Sequence, residues 1–258
     1  MAAPLPRAPQ WLDGSAFRHH SELFIRAWNL KGARWDEETP LMYQGASDDF
    51  LGPCDDVPLP SEADEIDFEG ELAVVTGEVP MGTSEAAAAG HVKLLLLVND
   101  VSLRALGRRE MATGFGFLQA KPSSSFSPVA VTPDELGEAW REGRAHLPLL
   151  VTLNGQPFGR PHGGQMSFGF PRLLAHAART RRLSAGTIVG SGTFSDPAPG
   201  AGAATLLEQR TVEALERGKP ETPYLRFGDR VRLEMRDAEG RSIFGAIDQR
   251  MVRAAAAG

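Results

Sequence analysis

The sequence predicts a mixed α+β fold that consists mainly of β-strands. Apolar, strand-like runs recur along the chain without regular alternation with helical patterns, so neither a barrel of alternating strands and helices nor a Rossmann sheet is favoured. Turn signals at Asn154-Gly155 and at 237–240 separate neighbouring strand-like runs and predict hairpins. With 258 residues and 42% apolar content, the chain can bury a sizeable core and is expected to form one large domain.

The first half of the chain is predicted to contain two strands among short helices. In chain order, the patterns predict a helix within 13–30, a long functional loop at 31–65, a strand at 68–76, a helix near 84–92, a strand at 94–100 and a helix from about 102 to 111. Thr83 or Ser84 could cap the second of these helices, because both carry the hydroxyl oxygen that an N-cap uses.

The second half is predicted to be richer in strands and turns. The predicted elements are strands at 126–131 and 147–153, a second hairpin arm near 156–159, an amphipathic helix at 168–179, Gly-rich turns with short strands at 186–210, and a C-terminal hairpin of 230–235 and 242–251. We expect residues 1–9 to form an extended, Pro-rich lead-in, residues 10–252 a single domain, and residues 253–258 a flexible tail.

Composition and charge exclude several classes of partner. The chain has 27 basic and 33 acidic residues, a net charge of −6 and no basic stripe, so nucleic acid and anionic membranes are poor candidates. No apolar run approaches the roughly 20 residues that span a bilayer, and residues 1–9 lack the apolar core of a secretory signal. The solitary Cys54 rules out an intrachain disulfide and fits a reducing compartment, so we expect a cytoplasmic protein.

Three acidic residues on two predicted strands indicate a metal site. Glu69 and Glu71 are two residues apart in a predicted strand and would project from the same face. Asp100 ends the apolar run 94–99 abruptly, which presents a carboxylate at a sheet edge. Converging carboxylates without neighbouring Cys or clustered His favour a hard divalent cation such as Mg2+, Ca2+ or Mn2+. The alternative is a solvated strand face with an aspartate at the strand end.

The arrangement of these acids within their strands resembles the fumarylacetoacetate hydrolase family. The pattern is a Glu-x-Glu pair at 69–71 that opens a Leu-Ala-Val-Val strand, followed by the run Val-Asn-Asp-Val-Ser-Leu-Arg at 98–104. The resemblance extends from about Gln10 to Met251 and is strongest to the family's bacterial fumarylacetoacetase branch. It implies a β-sandwich roll with short flanking helices, usually as a dimer, so we expect a homodimer.

The resemblance implies a fourth carboxylate ligand and one bound ion. Asp13 opens a segment in which family members carry a metal-binding aspartate, so it would join Glu69, Glu71 and Asp100. The implied ion is Mg2+ or Ca2+, with Mn2+ as a further candidate. A simpler interpretation of Asp13 is the N-cap of the first helix.

The same segment implies a general base, because the family has a histidine seven residues after this aspartate. That histidine is His20 here, and its implied partner is Glu208, which ends a Thr-Leu-Leu-Glu pattern at 205–208. A base of this kind needs a carboxylate that fixes its tautomer. Glu22 is the local rival for this role, and a surface salt bridge at a strand edge is the alternative for Glu208. Neighbouring His19 departs from the family pattern and is expected to be exposed.

Four further residues match family positions near the substrate. Arg104 lies one helical turn after Asp100, and Lys121 follows a Gly-rich turn. The resemblance implies that both cations balance the carboxylates and hold a developing oxyanion, while ordinary surface charge is the alternative. Tyr43 and Thr193 match positions that contact substrate.

Two positions depart from the family pattern, and one acid is left outside the predicted site. Gly107 stands where animal enzymes often carry a glutamine that helps bind the oxyanion, and Ser15 stands where the family has a tyrosine. Both departures bear on substrate specificity. Asp67 would share the face of Glu69 and Glu71, but we interpret it as a charge at the entry of the strand.

The resemblance implies a metal-dependent hydrolase that cleaves a carbon–carbon bond in a β-diketo acid. The leading substrate is fumarylacetoacetate, which would give fumarate and acetoacetate in tyrosine breakdown. Acylpyruvate hydrolysis, decarboxylation of 2-oxo acids such as oxaloacetate, and keto–enol isomerisation are alternatives with the same metal and diketo chemistry. A non-enzymatic metal-binding protein is the remaining interpretation.

Overall fold

The structure, a computed structural model, describes residues 1–255 and consists of two large curled sheets with a few short helices. The strands are β1 (Trp11–Gly14), β2 (Met42–Gly45), β3 (Val57–Leu59), β4 (Ile66–Asp67), β5 (Gly70–Thr76), β6 (Val92–Asn99), β7 (Ser102–Leu103), β8 (Ser125–Phe126), β9 (Trp140–Arg141), β10 (Arg144–Ala145), β11 (Leu149–Leu153), β12 (Gln156–Gly159), β13 (Ile188–Gly190), β14 (Arg230–Arg236) and β15 (Ser242–Arg253). The α-helices are α1 (Arg18–Ala27), α2 (Glu85–Ala88), α3 (Arg104–Thr113), α4 (Phe170–Ala177) and α5 (Leu206–Arg217), and 3-10 turns occupy Glu62–Asp64, Ala89–His91, Pro133–Ala139 and Gly163–Gln165. Within the described residues, no helix has the length and apolar character needed to span a membrane.

The larger sheet places the N-terminal strand β1 one strand away from β5, the strand that carries Glu71. Its order is β2-β1-β13-β5-β6-β8, in which β1 and β13 are parallel and the other pairs are antiparallel. The second sheet has the order β12-β11-β14-β15-β3, in which β15 and β3 are parallel and the other pairs antiparallel. The mixed, mainly β fold predicted from the sequence is therefore confirmed.

A shared apolar core joins the two sheets. Leu72 and Leu97 of the larger sheet belong to the same buried cluster as Leu149 and Leu233 of the second sheet. Burying side chains of this size stabilises the fold by roughly 1.5–3 kcal/mol each relative to exposure. The sheets approach closely at Gly70, where an added Cβ would lie 2.8 Å from a Leu149 methyl carbon. The beginning of β5, where the predicted acidic residues lie, is thus held against the second sheet.

Several predicted elements are confirmed. The strands predicted at 68–76 and 94–100 correspond to β5 and β6, which pair with each other. Ser84, one of the two proposed caps, accepts a hydrogen bond from a backbone amide of α2 at 3.4 Å. Asn154-Gly155 forms the turn between β11 and β12 with positive φ at both residues, and β14 and β15 form the predicted C-terminal hairpin.

The structure differs from the prediction around the first helix, in one predicted loop and in one predicted strand. α1 begins at Arg18 and Asp13 lies in β1, so the interpretation of Asp13 as a helix N-cap is wrong. The loop predicted at 31–65 contains β2, β3 and a 3-10 turn. The strand predicted at 126–131 shortens to the two residues of β8, because Pro128 cannot donate a hydrogen bond to a neighbouring strand.

The largest difference is the helix α5, which the sequence analysis missed. The region 186–210, predicted as turns and short strands, contains the beginning of this helix at Leu206. Thr205 caps it, because its side chain accepts a hydrogen bond from the Leu207 amide at 3.3 Å. The helix places Glu208 in its first turn rather than at a strand edge.

Near both ends of the described range, 1–255, residues pair with neighbouring segments. In the lead-in, the Ala8 amide donates a hydrogen bond to the Ser47 carbonyl. Arg253, predicted to begin a flexible tail, lies in β15 opposite Leu59 of β3. Residues 256–258 of the predicted tail lie outside the described residues.

Candidate active site

Four buried carboxylates lie close together around β1, β5 and β6. Asp13 is in β1 and Glu71 in β5, while Glu69 immediately precedes β5 and Asp100 immediately follows β6. One oxygen atom of each carboxylate lies within 4.8 Å of those of the other three. The strand order explains this arrangement, because β13 connects β1 to β5 and β5 pairs directly with β6.

The cluster carries more negative charge than its protein neighbours compensate. Burial, followed by the charge of Asp100, raises the pKa of Asp13 to about 8. Burial and the charges of Asp13 and Asp100 raise the pKa of Glu71 well above its usual range. Both oxygens of Glu71 are buried and receive no hydrogen bond from a donor within residues 1–255. Buried carboxylates without partners are costly, and hard divalent cations bind such oxygen clusters, so these residues fit Mg2+, Ca2+ or Mn2+.

Lys121 and Arg104 supply positive charge next to Glu69. Lys121 Nζ lies 2.7 Å from Glu69 Oε2 and 2.5 Å from Asp100 Oδ2, and Arg104 Nη2 lies 2.7 Å from Glu69 Oε1. Burial would raise the pKa of Glu69, but the charges of Lys121 and Arg104 hold it well below its usual range. Burial likewise would lower the pKa of Lys121, but Asp100 and Glu69 raise it. Both cations are buried, so their interpretation as ordinary surface charges is wrong.

Asp67 is a buried part of this region whose role the sequence analysis missed. Its carboxylate accepts hydrogen bonds from Arg104 Nε at 2.8 Å and from the backbone amides of Leu206 and Leu207 at 2.8 and 3.0 Å. Asp67 is fully buried, so its interpretation as a strand-entry charge is wrong. An aspartate is favourable here because the first amides of a helix lack intrahelical partners. The available signal in the sequence is its two-residue spacing from the next acid.

His20 and Glu208 are adjacent, although 188 positions separate them in the chain. His20 Nδ1 lies 3.2 Å from Glu208 Oε2. Glu22, the rival partner, is paired instead with Arg18 at 2.8 Å along α1. Glu208 is only 3% exposed, so its interpretation as a surface salt bridge is wrong. Burial raises the pKa of Glu208, but the adjacent His19 and His20 rings outweigh burial and lower it.

The second histidine of α1 also reaches Glu208. His19 Nδ1 lies 2.8 Å from Ser195 Oγ and 3.5 Å from Glu208 Oε1. Its side chain is 31% exposed, so His19 is half-buried and the expectation that it is exposed is wrong. The reason is the packing of α1 against α5, which turns this side of α1 toward the buried carboxylate.

A cavity of about 410 Å³ adjoins these groups. The predicted site residues that line it are Asp13, His20, Tyr43, Glu69, Arg104, Lys121 and Thr193. The remaining predicted residues are Glu71, Asp100 and Glu208, which are buried next to the lining residues. Much of the other wall is apolar and includes Phe24, Trp28, Trp35, Met111 and Phe117. The structure therefore brings the predicted site residues together at one cavity.

Tyr43 connects the cavity to the carboxylate cluster. Its hydroxyl donates a hydrogen bond to Asp100, and Lys121 Nζ lies 5.2 Å from the centre of its ring. Burial, followed by the charge of Asp100, raises the pKa of Tyr43 well above its usual range. The hydroxyl therefore stays protonated and acts as a donor at neutral pH.

Thr193 follows a tight turn that is also linked to the cluster. The Gly192 amide donates a hydrogen bond to Asp13 Oδ1 at 3.1 Å. Gly192 has φ of 75°, and an added Cβ would lie 2.3 Å from the Gly14 carbonyl oxygen, so only glycine fits this close approach. The turn places Thr193 in the cavity wall, where it is 3% exposed.

Comparison with known proteins identifies the family. Residues 10–252 match the family described as fumarylacetoacetate (FAA) hydrolase C-terminal. The chain belongs to the fumarylacetoacetate hydrolase family. Membership of this family, which the separated sequence motifs indicated, is thereby confirmed.

Relatives within the fumarylacetoacetate hydrolase family carry different activities. The chain is 31% identical over 193 residues to the 2,4-didehydro-3-deoxy-L-rhamnonate hydrolase of Sphingomonas sp. (strain SKA58), covering 74% of this chain and 59% of that protein. It is 28% identical over 158 residues to the mitochondrial oxaloacetate tautomerase FAHD2B of Homo sapiens, covering 60% and 48%. The chain thus spans about half to three fifths of the length of these relatives.

A solved structure shows the same fold. The 5-carboxymethyl-2-hydroxymuconate delta-isomerase from Mycobacterium smegmatis superposes with a TM-score of 0.67 at 21% identity. The superposition covers 98% of this chain and 82% of that one. The fold of the family, including its curled sheets and few helices, therefore accounts for almost the whole chain.

Gly107 and Ser15, the two positions that the sequence analysis contrasted with the family pattern, both line the cavity. An added Cβ at Gly107 would lie 3.1 Å from Trp28 Cη2, so the indole lies where a side chain at 107 would extend. Ser15 Oγ forms a hydrogen bond with Ser21 Oγ at 2.9 Å. Trp28 is a cavity residue that the sequence analysis missed, because it belongs to no motif and reaches the cavity only through packing.

Proposed function

We propose that this chain is a metal-dependent hydrolase that cleaves a carbon–carbon bond in a β-diketo acid, with fumarylacetoacetate as the leading substrate. The observation that carries the proposal is the His20–Glu208 pair, which lies at the same cavity as the four-carboxylate cluster. A base supplies an activated water, and a cation site supplies a polarised carbonyl. Hydrolysis of a diketo acid uses both.

The carboxylate cluster is the proposed metal site. The residues that would hold Mg2+ or Ca2+, with Mn2+ as a further candidate, are Asp13, Glu69, Glu71 and Asp100. When bound, such an ion supplies Lewis-acid stabilisation of negative charge on the substrate's oxo groups. The unpartnered oxygens of Glu71 support this assignment.

His20 is the proposed general base. Its Nδ1 faces Glu208, which favours the tautomer with the proton on Nδ1 and a free lone pair on Nε2. Nε2 takes a proton from a water molecule. The oxygen of this water attacks the ketone carbon of the fumaryl portion of the substrate. The negative charge of Glu208 stabilises the imidazolium that forms.

Lys121 and Arg104 would stabilise the tetrahedral oxyanion that this attack produces. Collapse of the oxyanion breaks the carbon–carbon bond, and the electron pair of that bond leaves with the acetoacetate portion as an enolate. The enolate carbon then takes the proton held by His20, which restores the base and gives acetoacetate. The new carboxyl group of the other product loses its proton to solvent and gives fumarate. The hydroxyl groups of Tyr43 and Thr193 lie in the cavity wall and would contact the substrate.

Keto–enol isomerisation is the second candidate, because one relative is an oxaloacetate tautomerase. Isomerisation moves a proton between carbon and oxygen and requires no attacking water. Acylpyruvate hydrolysis and decarboxylation of 2-oxo acids would use the same cation site. The paired His20 and Glu208 favour hydrolysis over decarboxylation and over a non-enzymatic metal-binding role.

The expected homodimer and the expected cytoplasmic location stay predictions.

The test is loss of fumarylacetoacetate absorbance with the purified protein in Mg2+, in a chelator, and for the His20→Ala variant. We expect turnover in Mg2+ and its loss under the other two conditions. Glu22→Gln is the matched control, since Glu22 is on the same helix but pairs with Arg18. Absence of turnover by the folded, metal-loaded protein would overturn the fumarylacetoacetate assignment. Product analysis with acylpyruvates and oxaloacetate would then separate hydrolysis, decarboxylation and isomerisation.

A further inference from the structure

The two oxygens of the Glu208 carboxylate have different partners. Oε2 faces His20 Nδ1 at 3.2 Å. Oε1 accepts a hydrogen bond from Ser195 Oγ at 2.9 Å and lies 3.5 Å from His19 Nδ1. Ser195 Oγ is itself 2.8 Å from His19 Nδ1. One buried carboxylate is therefore shared by two neighbouring histidines.

Glu208 and its three partners differ in how much of each side chain is exposed to solvent. Ser195 is fully buried and Glu208 is 3% exposed, whereas the side chain of His19 is 31% exposed. His20 lines the cavity, and its side chain is 10% exposed. His19 is therefore the member of the group with most access to solvent, on the opposite oxygen of the carboxylate from the proposed base.

We propose that His19 is a positioning residue that acts on His20 through Ser195 and Glu208. This inference rests on the proposed hydrolysis, in which His20 is the base. By binding Oε1, His19 and Ser195 hold the carboxylate with Oε2 directed at His20. When His19 is protonated, its charge offsets part of the negative charge that Glu208 presents to His20.

The charges around both histidines support a coupling through Glu208. The acids that face His19 are Glu208 of α5, Glu22 of α1 and Asp196 of the segment after β13. The nearby Glu208 carboxylate, 3.5 Å from His19 Nδ1, is the main cause that raises the pKa of His19, while burial lowers it. His20 faces Glu208 and, across the cavity, the Glu69 carboxylate. Glu208 is the acid within hydrogen-bonding distance of His20, so a change in its effective charge acts on His20 directly.

Three variants separate the hydrogen bonds of His19 from its charge. His19→Gln keeps hydrogen-bonding atoms but cannot titrate, and His19→Phe loses both properties. Ser195→Ala removes the bridge and leaves both histidines in place. His91→Gln is the matched control, because His91 lies in the 3-10 turn after α2 and does not line the cavity.

The experiment is the pH profile of kcat/KM for fumarylacetoacetate in Mg2+, together with an NMR titration of the histidine rings. For His19→Gln we expect the acidic limb of the profile to move up by roughly half a pH unit, because Glu208 retains its full charge toward His20. For His19→Phe and Ser195→Ala we expect kcat to fall about 10-fold with little change in KM, because the carboxylate is less well positioned. His91→Gln should leave both quantities unchanged.

An unchanged acidic limb and an unchanged titration of His20 in His19→Gln would overturn the inference. A variant that only raises KM or only loses stability would also overturn it. Failure of the proposed function looks different: the wild type would not turn over any diketo acid. The NMR titration still decides the inference in that case, because it detects the coupling of the two rings without turnover.

Discussion

Asp67 accepts a hydrogen bond from the Leu206 amide at 2.8 Å, which ties the acidic segment before β5 to the helix that carries Glu208. The same carboxylate forms a buried ion pair with Arg104, which in turn pairs with Glu69. The carboxylate cluster and the His20–Glu208 pair are therefore connected through one aspartate. We therefore expect a substitution of Asp67 to disturb both the carboxylate cluster and the His20–Glu208 pair.

Asp67→Asn is expected to destabilise the protein by about 3 kcal/mol, because breaking a buried ion pair leaves an uncompensated charge. The change also weakens the favourable contact of a carboxylate with the N-terminus of α5. Urea unfolding followed by circular dichroism measures the loss. Asp48→Asn is the control, since Asp48 is exposed. Equal stability of the two variants would contradict a connecting role for Asp67.

Glu71→Gln is expected to leave the metal-free protein as stable as the wild type, or more stable. Glutamine has nearly the same shape and removes a buried negative charge next to Asp13 and Asp100. The variant also loses an anionic ligand, so Mg2+ should no longer raise its unfolding temperature. Thermal unfolding in chelator and then in Mg2+ measures both effects. Glu216→Gln, an exposed change on α5, should respond to Mg2+ like the wild type.

For Glu71→Gln, two results would count against the metal site. A large loss of stability in chelator would show that the Glu71 carboxylate is stabilising without a cation. A retained shift in unfolding temperature with Mg2+ would show that the ion binds elsewhere.

Local sequence patterns predicted much of this site. The spacing of Glu69 and Glu71 indicates one strand face, and Asp100 stands at the end of the next apolar run. Both features can be recognised from residues that are close together in the sequence. The structure places all three carboxylates in one buried cluster. The meeting of His20 with Glu208 came from the family resemblance, because no local pattern relates positions so far apart.

Contacts between distant segments could not be predicted in the same way. The role of Asp67 depends on α5 beginning at Leu206, and the sequence analysis assigned that region to turns and strands. The place of Trp28 depends on how α1 and α3 pack, since its ring contacts the space beside Gly107. Neither contact leaves a periodic signal in the chain. Such features follow from tertiary packing and appear only when the elements are assembled.

Asp13 is expected to make the metal-free protein less stable as the pH rises. Its pKa is about 8 in the folded protein and near 3.8 when unfolded, so the folded state holds the proton more tightly between these values. This contribution is greatest below about pH 4 and decreases toward pH 8, by at most about 1.4 kcal/mol per pH unit. Asp13→Asn removes it, because asparagine does not titrate.

Urea unfolding of the wild type and of Asp13→Asn in chelator at pH 5 and pH 8 measures this effect. The free energy of unfolding of the wild type should fall relative to that of the variant between the two pH values. In Mg2+ the wild type should regain stability at pH 8, since the ionised carboxylate is the form that binds the cation. Parallel behaviour of the two proteins in chelator would contradict the raised pKa of Asp13.

Gly107→Gln is expected to lower stability and raise KM, because its Cβ would lie 3.1 Å from Trp28 Cη2 and the longer side chain needs the space of the indole. Helix propensity alone would favour the change by up to about 1 kcal/mol, so a net loss identifies the collision. Adding Trp28→Ala vacates the space and should recover part of the loss. The two changes should therefore be coupled by roughly 0.5–3 kcal/mol.

A double-mutant cycle of unfolding free energies and of KM for fumarylacetoacetate measures the coupling. Gly90→Gln combined with Trp28→Ala is the control, because an added Cβ at Gly90 meets nothing within 4 Å. Additive effects of Gly107→Gln and Trp28→Ala would show that Trp28 does not restrict position 107.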